Sequence, residues 1–147
     1  MDTKELYARG LRLRKRMFGA AAVERRMAAL GQFGEPLQQI INGYAYGDVW
    51  SRPGLDGRTR SLVMVGMMAA SYRPNELRVH LRGALANGCS PAEIREVLLQ
   101  VALYCGIPAS LEAHQATVDI LAEADGTEAD KADTGARRKA RRRQRRK

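Results

Sequence analysis

The sequence predicts an all-α fold: a compact bundle of about six helices that oligomerises through an apolar helix. Apolar residues recur every three or four positions along most of the chain, which is the period of a helix with one buried face. No segment alternates apolar and polar residues in the way that a half-buried strand does. Aromatic residues make up only 5% of the chain, so the core must consist mainly of aliphatic side chains, which suits helices.

The chain divides into a helical domain, residues 1–124, and a tail, residues 125–147. The last predicted helix, over about 109–123, ends just before this boundary, and the domain is long enough to bury a core of its own. The tail is polar at first, and nine of its last eleven residues are Lys or Arg. Because such a segment cannot bury enough apolar surface to offset its conformational entropy, we expect a disordered polar linker and a basic end.

The net charge of +9 belongs to the last eleven residues of the tail. Without those nine basic residues, 16 Lys and Arg remain against 16 Asp and Glu, so residues 1–136 are neutral. This distribution argues against a nucleic-acid-binding domain and leaves weak, nonspecific nucleic-acid contact to the tail. Two cysteines without a Cys-x-x-Cys predict neither a disulfide framework nor a metal site. The sequence shows no transmembrane run and no signal peptide, so we expect a cytoplasmic protein.

The N-terminal third predicts helices separated by glycines. Residues 3–30 predict one or two helices, broken near Gly19. Residues 35–46 predict another helix, which Gly47 ends. A loop with a Pro-Gly turn follows over residues 50–54.

The middle of the chain carries clear helix-start signals. Asp56 is the candidate N-cap of a helix that is apolar on all sides over residues 62–70. Such a helix needs burial against its own fold or against a partner subunit. A further helix is predicted over residues 74–88, and Ser90 with Glu93 forms the capping box of the helix after it.

His80 is the most informative candidate for chemistry. Leu77, Leu81 and Ala84 form the apolar face of its helix, and the spacing places His80 on that face. Histidine can exchange a proton near neutral pH because of its ordinary pKa. A core histidine with a hydrogen-bonded neighbour, or one at a subunit contact, is the alternative interpretation. No second histidine follows at helical spacing, so a metal site is not expected here.

Two further groups carry charge near this helix. Asp48 stands between Tyr46 and Trp50, either as a solvated carboxylate beside an aromatic core or at a pocket rim. In the second interpretation, apolar surroundings raise the pKa of Asp48 so that it can donate a proton. Arg58 and Arg60 begin the next helix, where positive charge opposes the helix dipole unless an anionic substrate or an acidic neighbour is present.

The cysteines and the second histidine are weaker candidates. Cys105 lies at the end of a helix on its apolar face, where cysteine usually acts as a small hydrophobic residue. Cys89 stands beside a helix cap and is expected to be exposed. His114 lies on the apolar face of the last helix, where packing and a place in a site are both open.

Several blocks, taken together and in order, resemble the carboxymuconolactone decarboxylase family. The resemblance covers residues 7–123, which is the whole helical domain. The blocks are Tyr44-Ala-Tyr-Gly-Asp-Val-Trp50, Arg52-Pro-Gly-Leu55, Arg58-Thr-Arg-Ser-Leu62, Glu76-Leu-Arg-Val-His-Leu-Arg-Gly-Ala-Leu-Ala-Asn-Gly88, Glu93-Ile-Arg-Glu-Val-Leu98 and Tyr104-Cys-Gly-Ile-Pro108.

The resemblance implies an all-α homo-oligomer, a trimer or hexamer, that acts without a cofactor. Its implied reaction removes CO2 from 4-carboxymuconolactone and yields 3-oxoadipate enol-lactone, in the protocatechuate branch of aromatic degradation. The resemblance makes His80 the acid/base residue, and we expect Asp48 to orient it or relay its proton. The expected substrate contacts are Arg58, Arg60, Tyr46, Trp50 and Cys105.

The chain also departs from the family pattern. The resembling decarboxylases have Trp and Glu where this chain has Tyr46 and Asp48, and Phe in the place of His114. The redox branch has a Cys-x-x-Cys where this chain has Arg73 and Glu76, so the thiol chemistry of that branch is not expected. The alternatives are another anionic lactone as substrate, an antioxidant alkylhydroperoxidase-like protein, or a non-enzymatic helical oligomer whose tail binds nucleic acid.

Overall fold

The structure is a computed structural model that describes the backbone of residues 2–144 and the side chains of residues 2–126. Within this range the chain forms helices joined by short turns and no strand, which confirms the predicted all-α class. The α-helices are α1 (Thr3–Phe18), α2 (Ala20–Leu30), α3 (Glu35–Gln39), α4 (Gly57–Ala70), α5 (Pro74–Ala86), α6 (Pro91–Cys105) and α7 (Ile107–Gln144).

The hydrophobic core lies among α4, α5, α6 and α7. Its centre consists of Val65, Leu81, Ile94 and Leu98, all with 0% exposure. Burying an aliphatic side chain of this size contributes about 1.5–3 kcal/mol. Aliphatic residues therefore form the core, as the low aromatic content predicted.

A π-helical segment, Ile40–Tyr46, continues α3 and packs along α1. Its wide turn is closed by the N–H of Gly47, which donates to the carbonyl of Asn42 at 2.9 Å. Gly10 makes the approach of α1 possible, because a Cβ at this position would lie 1.8 Å from the Asn42 carbonyl oxygen. The sequence predicted one helix over 35–46; its extent is confirmed, whereas the wide turn was not predicted.

The predicted helix starts are confirmed. Asp56 caps α4 by accepting a 2.6 Å hydrogen bond from the N–H of Thr59. Ser90 and Glu93 form the capping box of α6, each accepting a hydrogen bond from the backbone N–H of the other. Gly106, at φ 101°, separates α6 from α7 in a conformation that favours glycine.

Helix α7 is longer than predicted. The sequence placed its end near Glu123, whereas the helical backbone continues to Gln144. Ala, Lys and Arg predominate in residues 136–144, and all three favour helix. The buried side chains of α7, within the range where side chains are described, lie between Ala109 and Ile120. The division at residue 124 and the disorder of the tail stay predictions, and residues 145–147 lie outside the described residues.

Helix α4 keeps one apolar side exposed within a single chain. Val65 and Ala69 face the core, whereas Val63 and Met67 are 50% and 54% exposed. Burial of this exposed side against a partner subunit, the second alternative for such a helix, stays a prediction. Among the described residues, no helix combines the length and the apolar character that crossing a membrane requires.

Candidate active site

His80 faces a cleft of about 800 Å³ that is bounded by α1, α2, the π-helical segment and α5. The cleft combines aromatic and aliphatic walls with an excess of positive charge. Its charged and aromatic lining consists of Phe18, Tyr46, His80, Glu76, Arg14, Arg26, Arg78 and Arg82.

Aromatic rings surround the His80 imidazole. Phe18 contacts it edge-on, with centroids 5.8 Å apart and planes at 88°, and Trp50 stacks against it at 6.5 Å and 19°. Tyr46 stacks on Trp50 at 5.4 Å, so the predicted aromatic residues do gather around the histidine. Gly83 makes room for Phe18, because a Cβ there would lie 2.5 Å from its ring. This aromatic cluster is thus formed by residues far apart in sequence; Tyr46 lines the cleft, whereas Trp50 contacts His80 without being part of the cleft lining.

The protonation of His80 is set by burial and by two charges. Loss of hydration lowers the pKa of His80 from its usual value, and the positive charge of Arg26 lowers it further. The carboxylate of Glu76 acts in the opposite direction, raising the pKa. No hydrogen bond to the His80 ring is recorded among the described residues. His80 is therefore a neutral imidazole in the free protein at pH 7.

The effect of these surroundings on the pKa of His80 can be measured directly. With only two histidines in the chain, the Cε1–H resonances of His80 and His114 are easily followed by NMR against pH. We expect His80 to titrate below its usual pKa of about 6.5. Arg26→Gln should raise the pKa of His80, because it removes a positive charge that opposes the imidazolium. An Arg25→Gln control should leave it unchanged; an unshifted titration in Arg26→Gln would contradict the described geometry.

Asp48 does not contact His80 in this structure. Its carboxylate binds Arg52 on the surface, with Nε and Nη2 at 3.1 and 2.8 Å. The hydrogen bond from Arg52 lowers the pKa of Asp48. The expectation of a raised pKa is therefore wrong, because a guanidinium rather than apolar surface surrounds the carboxylate. The predicted role of Asp48 in orienting His80 stays a prediction without a contact to support it.

Arg58 and Arg60 donate to protein acceptors and do not line the cleft. Arg58 donates to the carbonyl of Gly88 at 3.2 Å and to the carboxylate of Glu93. Arg60 donates to two carbonyls of the loop before α4, each at 3.1 Å. The sequence left open whether an anionic substrate or an acidic neighbour accompanies these arginines, and for Arg58 the acidic neighbour is Glu93. Substrate binding by Arg58 or Arg60 stays a prediction.

The cysteines occupy positions opposite to those expected. Cys89 is 3% exposed, and its Sγ lies 3.4 Å from the carbonyl oxygen of Arg58. Cys105 is exposed at the end of α6 and does not line the cleft. His114 is held on α7, with Nδ1 at 2.8 Å from the carbonyl oxygen of Ser110. Within the described cleft, neither Cys105 nor His114 adjoins His80, so their roles in the site stay predictions.

Arg14 is one of several cleft residues that were not predicted. It is 7% exposed, and its guanidinium lies 5.7 Å from the centroid of the Tyr46 ring. The sequence carried a signal for it: Gly10, Arg14 and Met17 follow one another at helical spacing on the buried face of α1. An arginine on the buried face of an amphipathic helix is unusual, because arginine is almost never fully buried unless it is paired.

Comparisons with known proteins identify the family of this chain. The profile of the carboxymuconolactone decarboxylase family matches residues 35–119. Over 110 residues the chain is 41% identical to the 4-carboxymuconolactone decarboxylase of Acinetobacter baylyi, covering 75% of this chain and 82% of that protein. It is 40% identical to the nitrosuccinic acid decarboxylase npaB of Metarhizium robertsii, covering 75% of this chain and 77% of the fungal protein.

A third relative has no assigned activity. It is an uncharacterised 15.0 kDa protein of Paracoccus denitrificans, 33% identical over 82 residues, which are 54% of this chain and 61% of that protein. The family profile covers more than half of the chain, and the first two relatives are matched over at least three quarters of their lengths. The chain therefore belongs to the carboxymuconolactone decarboxylase family.

Proposed function

We propose that this protein is a cofactor-independent decarboxylase that converts 4-carboxymuconolactone into 3-oxoadipate enol-lactone. The observation that carries the proposal is the position of His80, a proton-exchanging side chain in a positively charged cleft. The 41% identity to a 4-carboxymuconolactone decarboxylase supports the choice of substrate.

The substrate supplies its own electron sink. The carboxylate leaves from a ring carbon that is conjugated through a double bond to the lactone carbonyl. When the carbon–carbon bond to CO2 breaks, its electron pair moves into that carbonyl and gives a dienolate. Addition of a proton then forms the new C–H bond at a ring carbon. The protein has to bind a dianion, stabilise the dienolate oxygen and deliver that proton.

In the proposed mechanism His80 delivers the proton. His80 is neutral in the free protein, so the proton enters when the dianion arrives, because nearby negative charge raises the pKa of an imidazole. Arg26 opposes this protonation until the substrate neutralises it, whereas Glu76 assists it. Tyr46 and Trp50 exclude water from the ring and thereby strengthen the electrostatic interactions in the cleft.

Nitrosuccinate is the second candidate substrate, favoured by the 40% identity to a nitrosuccinic acid decarboxylase. Nitrosuccinate, like carboxymuconolactone, is a dicarboxylate with a group that can accept the electron pair of the departing carboxylate. A nitro group accepts the electron pair that the departing CO2 leaves behind, so the demands on the protein are the same.

The two candidates are separated by assaying the full-length protein with each substrate. Loss of the 4-carboxymuconolactone absorbance and release of CO2 from nitrosuccinate report the two reactions. We expect kcat/KM to be higher for 4-carboxymuconolactone. A higher value for nitrosuccinate would transfer the proposal to the second substrate, and no turnover of either would overturn it.

We also propose that the protein is a homo-oligomer. Apolar side chains that are half or more exposed lie on three helices of the single chain. They include Val63 and Met67 on α4, Leu103 and Tyr104 on α6, and Ile107, Leu111 and Val118 on α7. Burial of such residues between subunits is the usual way in which an exposed apolar surface is covered.

A further inference from the structure

The four arginines of the cleft fall into two classes. Arg78 donates to Asp119 and Arg82 to Glu123, each at 2.6 Å, so carboxylates of α7 neutralise both. The described residues give neither Arg14 nor Arg26 a carboxylate partner. The cleft therefore carries two positive charges without an ion-pair partner beside the imidazole of His80.

Arg14 is held in one orientation. Its Nη1 donates to the side-chain oxygen of Gln38 at 3.0 Å and to that of Asn42 at 2.6 Å. Both acceptors are neutral amides, which fix the guanidinium without neutralising it. Asn42 is 0% exposed, and its Nδ2 has no hydrogen-bond partner. The amide thus gives its oxygen to Arg14 while its own N–H groups stay unpaired, which is an unfavourable arrangement in isolation.

The opposite edge of the same guanidinium is open. The hydrogen bonds recorded for Arg14 all use Nη1, which leaves Nε–H and the two N–H groups of Nη2. Among the described residues, the only fully buried side-chain nitrogen or oxygen without a hydrogen-bond partner is Nδ2 of Asn42. Because Nε and Nη2 of Arg14 also have no partner, they are not fully buried and keep access to the cleft. Two parallel N–H groups on one guanidinium edge match the two oxygens of a carboxylate.

We propose that Arg14, assisted by Arg26, binds the carboxylate that the substrate retains, so that this cleft selects dicarboxylates. The proposal rests on the proposed function for the identity of the reaction. Both arginines lie before residue 35, outside the segment that matches the family profile. The predicted anion-binding arginines, Arg58 and Arg60, are engaged with protein acceptors instead.

The first test is binding, which does not depend on turnover. Succinate is the probe for a dicarboxylate, and succinamide is its neutral counterpart. Binding to the full-length protein is followed through the His80 Cε1–H resonance. We expect succinate but not succinamide to bind, and Arg14→Gln or Arg26→Gln to weaken succinate binding by about 10- to 100-fold. Arg12→Gln and Arg25→Gln are matched controls, since both residues are exposed and do not line the cleft.

The second test separates binding of the retained carboxylate from a structural role. Arg14→Lys keeps the positive charge but loses the paired donors, and we expect a higher KM for the preferred substrate with a smaller change in kcat. Thermal unfolding identifies any variant that does not fold; Arg26→Gln changes an exposed residue and remains informative if Arg14→Gln fails. Unchanged KM and succinate binding in Arg14→Lys and Arg26→Gln would overturn the proposal. If the wild-type protein turned over neither substrate, yet bound succinate and lost that binding in Arg14→Gln and Arg26→Gln, the carboxylate site would be supported and the proposed decarboxylase activity refuted.

Discussion

His80→Gln is expected to lower kcat for decarboxylation by about 10²–10⁴-fold, the usual loss when a general acid is removed. Glutamine retains polar hydrogen bonding in a similar volume but cannot deliver a proton. The variant should still fold, because the described contacts of the ring are with Phe18 and Trp50 rather than with hydrogen-bonding partners. Steady-state kinetics with the preferred substrate measures the loss, and calorimetric titration with succinate, which does not need the His80 resonance, reports whether the cleft is intact.

His114→Gln is the matched control for His80→Gln. His114 is bound to Ser110 on α7 and does not line the cleft, so its replacement should leave kcat within about twofold of wild type. If His80→Gln kept near-normal turnover, the proton would have to come from another group or from water. If both variants lost activity equally, the loss would point to the fold rather than to the proton donor.

Gly10→Ala is expected to destabilise the protein by about 1–3 kcal/mol, the usual effect of overpacking. The added Cβ would lie 1.8 Å from the Asn42 carbonyl oxygen and 2.5 Å from the backbone nitrogen of Gly47. Both atoms belong to the backbone and cannot rotate away. Alanine favours a helix over glycine by about 1 kcal/mol, so the expected loss has the opposite sign to the helix propensity. Urea unfolding measures it.

Gly43→Ala is the control for Gly10→Ala. Gly43 lies in the π-helical segment against which Gly10 packs, and a Cβ there would meet no atom within 4 Å. This variant should be neutral or more stable by up to about 1 kcal/mol. Equal stabilities of the two variants would show that α1 does not approach the segment this closely. Because Asn42 also holds Arg14, Gly10→Ala should raise KM in addition to lowering stability.

Local signals in the sequence identified most of the fold. The N-cap at Asp56, the capping box of Ser90 and Glu93, and the break at Gly19 each act within a few residues, and each is found in the structure. The wide turn of Ile40–Tyr46 depends on how closely α1 packs against it, which no local pattern reports. The far end of α7 was not predicted because residues after 124 have no apolar face, although the Ala, Lys and Arg residues there favour helix.

The site was harder to predict because charge pairing depends on distant residues. Trp50 and Tyr46 were placed near His80 from the motif that contains them, and they do gather there. Whether an arginine is free or paired depends on contacts across 30 or more positions, as for Arg58 with Glu93 and Arg78 with Asp119. The sequence therefore favoured Arg58, which has an acidic partner in the fold, over Arg14, which has none.

In the π-helical segment, the number of residues matters more for the structure than the types of the exposed residues. One residue fewer between Ile40 and Tyr46 would restore an α-helix, and each residue of an α-helix turns the chain by about 100°. Gln38 would then rotate away from Arg14 while Tyr46 kept its place against α1. Natural variation should consequently accept many side chains at exposed positions such as Ile40 and Tyr44, yet reject single-residue insertions and deletions between them.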